Sequence, residues 1–484
     1  MNSQEKTVSL TSTHGIPIEG EPSSLWDKMH RELSKLPKAD DSQEVTIFRV
    51  PLSIRESNKN MFEPSAVSIG PYYRGLPHLR AMEENKWLSL RAFLNYKAGD
   101  QEWESNEMNE VGEEPARGLL QDCINKIKEV EQRARRCYSE PFDMSSDDFV
   151  QMMVLDGFFI LAFFTSNADT AAKGWISSFI RTDLILLENQ IPFFIIETLR
   201  GSPFDDPDIM MDIARYLTCN KMPIYALSEP QKIHHLLHLC LCSAVPTVTT
   251  QDEDAASEPN HCPFLNWVRA VPVLKSRFIS RREDEIEQSD DKGKVWEIPC
   301  ATELEEAGVK FKKLEQSDDI TKITFKSGTL VIPRIRITDG LKPLLMNLIA
   351  LEQCMYYQRR PHFSAYMNFL DCLVNTENDV RILQKHGIIE SMLSGEEEVA
   401  LFFNQCGVGV LIDGHHYLAD LFRRVNKHCG SRYHRYRAKL SRDYFNNPWS
   451  IIALIAATLL LCLTILQSFM SVYAYIRPPP SSPP

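Results

Sequence analysis

The sequence predicts a mainly α protein: a multi-helix globular domain with a small β-hairpin element, plus one C-terminal transmembrane helix. Three observations carry that expectation. Apolar residues recur at helical spacing along most of the chain, beginning with Leu25, Met29, Leu33 and Leu36. The period changes to alternation in ITKITFKSGTLVIPRIRI (320–337), on either side of a Ser-Gly turn. Residues 444–476 hold no charged side chain, and IIALIAATLLLCLTIL (451–466) forms the centre of that stretch.

Composition bounds the remainder. With 43% hydrophobic and 24% charged residues, the 484-residue chain is ordinary for a globular protein. Wholesale disorder and a multi-span membrane protein are both excluded. The 53 Lys+Arg against 65 Asp+Glu leave a net charge of −12. Nucleic-acid binding rests on neutralising phosphates with basic side chains, so no nucleic-acid partner is expected. The 12 cysteines are scattered, with no CxxC pair, which fits a reducing compartment.

Along the chain, residues 1–44 read as a polar segment with one short helix that stops at Pro37. Residues 45–443 read as the helical domain. It opens on an extended VTIFRVP (45–51) and an irregular Gly/Pro loop at 61–78. Helices are expected at about 78–96 and 116–138. FVQMMVLDGFFILAFF (149–164), behind Ser145 and Ser146 as caps, and DLILLENQIPFFIIETL (183–199) are the most apolar stretches before the terminal one. Each contains charged residues, so both read as buried core helices, the second kinked at Pro192. Shorter helices follow at 207–219 and 230–242, and a capped one at 301–308. After the hairpin come helices at 341–356, 363–375, 377–386, 395–405, 414–428 and 432–446. Acidic, polar insertions near 100–114, 246–262 and 281–297 lack the apolar content to fold, and FLNWVRAV lies between the last two.

The terminal span is set at 450–476, before a Pro-rich tail at 477–484. Within it, the twenty-three residues 451–473 at a 1.5 Å rise give roughly 34 Å of helix, enough for a hydrocarbon core of about 30 Å. Trp449, Tyr473 and Tyr475 flank it as an interfacial belt does. Residues 423–442 carry eight basic side chains and no acid, among them Arg435, Arg437, Lys439 and Arg442. Beyond the span stands Arg477, so the positive-inside rule places the N-terminal domain in the cytosol. The N-terminus shows no basic-then-apolar signal sequence, which completes the expectation of a tail-anchored, single-pass protein. The plasma membrane is the expected location, with an endomembrane as the alternative. Membrane-apposed basic residues attract anionic lipid at roughly 1 kcal/mol each.

Candidate chemistry is sparse. Asp156 and Glu188 lie inside apolar runs, where a carboxylate has a raised pKa and can act as acid or base. The plainer reading is that such groups persist because they are paired. In HHLLHLCLC (234–242), His234 and His238 share a helix face, but leucine packing explains that helix without a metal. GxSxG, GxxxxGK[ST] and dinucleotide-binding glycine patterns are absent from the sequence. No catalytic residue, cofactor, metal or small-molecule substrate is assigned.

Nine separate segments, in order, resemble the plant Domain of Unknown Function 247 family, also called UPF0481. They include IFRVP (47–51), VSIGPYYRG (67–75), MEENKW (82–87), MMVLDGFFIL (152–161), DLILLENQIPFF (183–194), ATELEEAGVKFK (301–312), LVIPRIRI (330–337), LIALEQC (348–354) and YFNNPWS (444–450). The family often has histidines where Tyr73 and Arg74 stand, so no histidine role carries over there. The resemblance implies a membrane-associated plant protein of mostly helical fold, with no established catalytic residues. Some relatives are linked to pollen self-incompatibility. The leading functional expectation is a non-catalytic module that binds protein partners in signalling or recognition. The alternatives are a membrane-bound enzyme using Asp156 and Glu188, and a receptor of reversed topology.

Overall fold

The computed structural model describes residues 25–35, 45–98, 113–165, 176–204, 206–225, 232–246, 296–315, 319–355, 361–393, 395–407, 410–412, 414, 416–430 and 448–476. The polar stretches expected at 1–22, 100–114, 246–262 and 281–297 lie outside these residues except at 113–114, 246 and 296–297, and FLNWVRAV, the helix expected at 432–446 and the Pro-rich tail lie outside them too. So do Arg435, Arg437, Lys439 and Arg442. The chain divides into two units, residues 1–45 and 46–484. The first contains α1 (Leu25–Lys35).

The second unit opens with an extended segment that makes one bridge, Ile47 to Tyr138. Two short helices follow, α2 (Leu52–Ser57) and α3 (Lys59–Phe62). Beyond the expected irregular loop come α4 (Ala81–Ala98), α5 (Glu113–Arg136) and α6 (Ser146–Thr165). Ser145 caps α6, its hydroxyl accepting from the Asp148 N–H at 3.2 Å, and Asp147 and Asp148 complement the helix dipole. Phe149, Met152, Met153, Phe158 and Phe159 are all buried, because α4, α5 and α8 (Phe193–Arg200) surround this helix. The apolar run is therefore the centre of the core.

The stretch 183–199 departs from its expected form. It is the end of α7 (Ile176–Asp183), then a buried non-helical loop, then α8. Pro192 does not kink a helix but precedes one, at the α8 N-cap with φ −58°. A proline there costs no hydrogen bond, since the first helical N–H groups have no intrahelical acceptor. The structure continues with α9 (Pro207–Thr218), capped by Asp206, and α10 (Leu236–Ala244).

The remaining elements form the other part of the core. They are α11 (Ala301–Glu306), β1 (Lys310–Leu314), β2 (Thr324–Lys326), β3 (Thr329–Pro333), β4 (Ile335–Ile337), α12 (Leu341–Cys354), α13 (His362–Leu373), α14 (Glu377–Lys385), β5 (Ile389–Ser391), α15 (Glu396–Cys406) and α16 (Ala419–Gly430). The expected hairpin is β2–β3, turning at Ser327 and Gly328 with φ 49° and 74°. β1 joins β3 in parallel, and β4 pairs in parallel with β5. These long-range partners carry no local signal in the sequence. α12 packs on α3, α10 and α13, so it links the two parts of the core. Its Asn347 makes that link specific: Oδ1 accepts from the Leu187 N–H at 2.8 Å and Nδ2 donates to the Met61 carbonyl at 2.7 Å.

The last element is α17 (Pro448–Ile476), a helix of 29 residues. It spans the expected 450–476 and carries Trp449 near its start and Tyr473 and Tyr475 near its end. Its described side chains are exposed, Leu460 at 65% and Phe469 at 64% among them.

The core makes a direct prediction at Gly157 on α6. A Cβ there would meet the Leu199 side chain of α8, with Ile195 close behind. Gly157→Val therefore overpacks the α6–α8 contact and costs about 1–3 kcal/mol. A thermal melt of the detergent-solubilised chain should show a midpoint several degrees lower. An unchanged midpoint would mean that α8 yields freely.

Candidate functional site

The two carboxylates singled out from the sequence both meet the 67–75 loop. Asp156 on α6 is fully buried. It accepts from the Gly70 N–H at 2.8 Å and pairs with Lys86 Nζ at 2.7 Å. Burial pushes its carboxyl above the usual range, against the pull of Lys86. Lys86 is itself fully buried and also pairs with Glu83 at 2.6 Å, which in turn lies 3.6 Å from Arg74. Glu188 lies in the loop between α7 and α8. Its carboxylate accepts from Arg49 and the Val50 N–H, both at 2.8 Å, from Arg55 at 2.9 Å and from the Tyr73 hydroxyl at 2.8 Å. Arg49 continues outward to Glu140 at 3.3 Å, its guanidinium stacked 4.3 Å from the Tyr72 ring centroid.

The neighbouring residues of the 183–190 loop complete a clamp. Asp183 accepts from the N–H groups of Ser65, Ala66 and Val67 at 3.0, 2.7 and 2.9 Å. Asn189 accepts from the Ile69 N–H at 2.7 Å and donates to the Val67 and Asp183 carbonyls. Gln190 donates to the Leu184 and Leu186 carbonyls at 2.7 and 2.8 Å. Gly70 is obligatory in this clamp, because its φ is +77° and a Cβ would strike the Gln190 carbonyl oxygen. Arg49, Arg55, Arg74 and Lys86 are matched by Glu83, Glu140, Asp156 and Glu188, so the network is close to neutral. Chemically, it immobilises an otherwise irregular stretch of backbone, and the lone pairs of Glu188 are taken up by their donors.

The histidines of 234–242 are engaged in the same manner. His235 is the N-cap of α10: its ring accepts from the His238 N–H at 3.2 Å, and Nε2 bonds the Thr46 carbonyl at 3.0 Å. Burial holds it neutral, with its pKa brought down to about 3. His238 accepts from the His234 N–H at 3.1 Å, and its Nε2 lies 3.3 Å from Cys242 Sγ. Among the described residues no group of three or more His, Cys, Asp or Glu side chains is placed to hold a metal ion.

A second polar cluster escaped sequence reasoning. Thr321 donates its hydroxyl to Asp319 at 2.6 Å and faces His362 Nε2 at 3.0 Å. Tyr225 donates to the same aspartate at 2.5 Å. Tyr417 donates to the Thr321 carbonyl at 3.1 Å and stacks on His362 with centroids 4.2 Å apart. The Thr321 proton points to Asp319, so His362 carries its own on Nε2 and donates. Burial brings His362 down to about 4, so the ring is neutral at pH 7. Thr321 is 1% exposed, which closes its hydroxyl to any substrate. These residues come from positions 225 to 417, and no local motif joins them. An open depression of about 330 Å³ between α14 and α15, lined by Asn375, Glu377, Glu397, Leu401 and Asn404, also lay beyond motif reading.

The clamp can be tested in two ways. Glu188→Ala strands two arginines and a backbone N–H, and its cost is about 3–5 kcal/mol. Tyr73→Phe removes one hydrogen bond and costs about 1 kcal/mol. Comparable losses in denaturant melts would refute the ranking. Asp183 provides a pH signature, since burial pushes its carboxyl from 3.8 up to about 6. Between those values the folded chain keeps a proton that the unfolded chain has released. Asp183 therefore lowers stability as pH rises through that window, and the effect is constant above it. Asp183→Asn should flatten the melting profile between about pH 4 and 6 relative to the wild type. Parallel profiles would show that the three N–H donors outweigh burial.

The chain is 28% identical over 449 residues to a UPF0481 protein of Arabidopsis thaliana, covering 89% of this chain and 87% of the relative. It is 24% identical over 505 residues to a second UPF0481 protein of that plant, covering 90% and 92%. No solved structure matches it significantly. The family model for DUF247, a plant protein of unknown function, matches residues 47–463, from the bridge at Ile47 into α17. The chain belongs to the DUF247 family.

Proposed function

We propose that this DUF247 protein is a membrane-anchored interaction module, held by α17 with its helical body in the cytosol. The observation that carries the reading is the environment of α17. Ile455–Met470 is uncharged and mostly apolar, with Thr458, Thr464, Gln467 and Ser468 its polar positions, and its large side chains stand exposed, Ile455 at 55% and Leu461 at 62%. α6 is also apolar and long enough to cross a membrane, but 72% of its apolar window is buried. It is a core helix. At a 1.5 Å rise, the 29 residues of α17 reach about 44 Å, more than a hydrocarbon core needs.

Charge supports the orientation. Arg423, Arg424 and Lys427 are exposed on α16 and begin the basic run that precedes α17. The same run supports contact with anionic lipid. A signalling or recognition role, as opposed to catalysis, is supported by the internal pairing of the three polar groups described above. Asp156, Glu188 and Thr321 are each consumed by internal partners. Anchoring to a surface confines the body to two dimensions and raises its encounter rate with other anchored proteins.

Truncation after Asp443 tests the anchor. The shortened chain should move to the supernatant of a membrane preparation, while the full chain stays in the pellet through a high-salt wash. Retention of the truncated chain would place the membrane attachment elsewhere.

A further inference from the structure

α1 is a short helix with one exposed apolar face. Leu25, Trp26, Met29 and Leu33 are exposed at 74%, 67%, 58% and 61%. At about 100° per residue these four positions fall within one sector of roughly 100°. Lys28 and Arg31 lie outside it and are exposed, and Lys35 follows at the same helical spacing. A helix of 11 residues is below the length that holds by itself in water, so its apolar face needs a covering surface when the helix is formed.

Three coverings compete. A second copy would have to form a coiled coil, which takes at least three heptads, and α1 offers fewer than two. A protein groove would require anchors cut to one partner, and nothing in α1 selects one. A bilayer interface requires what α1 contains: Leu and Met to enter the acyl boundary, a tryptophan at that depth and basic side chains toward the headgroups. Lys28, Arg31 and Lys35 outnumber Asp27 and Glu32, so α1 itself carries a net charge of +1 in a chain of −12.

We infer that α1 is a second membrane contact, an interfacial helix lying among the headgroups of an anionic leaflet. This rests on the anchoring role of α17. A helix this short binds lipid weakly as a free peptide, but a chain already fixed to the bilayer presents it at high effective concentration.

The test uses the full chain reconstituted into phosphatidylcholine vesicles, with and without phosphatidylserine. Flotation is scored first and reports α17 alone. Trp26 is then read as the difference between wild type and Trp26→Phe in quenching by brominated acyl chains. Amide exchange over residues 25–35 is followed in parallel. The expected result is a quenched Trp26 component, larger with phosphatidylserine. Met29→Asp with Leu33→Asp should remove it and speed exchange about tenfold without loss of flotation. A floating chain whose residues 25–35 exchange as fast as in that double variant overturns the inference and leaves the anchor intact. Slow exchange without quenching also overturns it, because a protein surface is then the cover. A chain that does not float overturns the anchor, and this inference with it.

Discussion

The carboxylate of Glu188, closed off between Arg49, Arg55, Tyr73 and the Val50 N–H, is the interaction on which the first part of the core depends. Its necessity follows from the backbone around it. Residues 184–192 cross the interior without helix or strand, and buried N–H and C=O groups outside regular structure must still be satisfied. The stretches 46–51 and 63–70, on either side of α2 and α3, have the same difficulty, with one β-bridge between them and Tyr138. They and the 184–192 stretch solve it jointly, through side chains. Asp183 and Asn189 take N–H groups from residues 65–69, while Gln190 holds its own loop closed. A buried charge costs several kcal/mol in lost hydration and is tolerated when its partners are nearly complete. The completeness of the Glu188 shell is thus a condition of the fold.

The same device recurs in the second part of the core. Glu352, at the end of α12, accepts from the N–H groups of His362, Phe363 and Ser364 and so caps α13 from another helix. Asp379 accepts from Thr302 at the start of α11 and from Asn375 and Thr376 ahead of α14. Glu352 serves α13 and Asp379 serves α11, whose own N-cap residues Pro361 and Cys300 make no side-chain cap bond, while at α14 Asp379 forms a local capping box with Thr376. For Asp379 the donors prevail, and its carboxyl lies below the usual range although burial opposes them. For Glu352 burial prevails and the carboxyl lies above it. The helices are therefore fastened to one another through their ends as well as their apolar faces.

How much of this was legible in the sequence follows from the range of each interaction. The helices from α4 to α6 and from α12 to α15 lie close to their expected positions, because periodicity and caps such as Ser145 are local signals. The β2–β3 hairpin was legible for the same reason, with Ser327 and Gly328 marking its turn. DLILLENQIPFF misled, since an apolar run fits a buried loop as well as a buried helix. The tell-tale was Asn189-Gln190 ahead of Pro192, polar side chains able to satisfy backbone groups where a helix would not need them. Asp156 and Glu188 stood out by their surroundings, but their roles did not. Arg49 lies 139 residues from Glu188, and no pattern in one chain pairs them. The Asp319–Thr321–His362 cluster was invisible for that reason, its members being common residue types in two separate segments.

Apolar composition alone does not separate α6 from α17, and the physical difference between them lies in what surrounds each helix. α6 carries Asp156 in its middle and neutralises it with Lys86, a solution that needs a packed protein around it. α17 has no charge to neutralise, and among the described residues Leu459, Leu463 and Leu466 are left 57–60% exposed. Each large aliphatic side chain left in water forgoes about 1.5–3 kcal/mol of burial. Ten such side chains between Ile452 and Met470 would forgo a sum comparable to the whole stability of a domain, about 5–15 kcal/mol. In the proposed anchoring, a bilayer would remove that cost without asking for any partner side chain, so exposure supports the proposal more than hydropathy does.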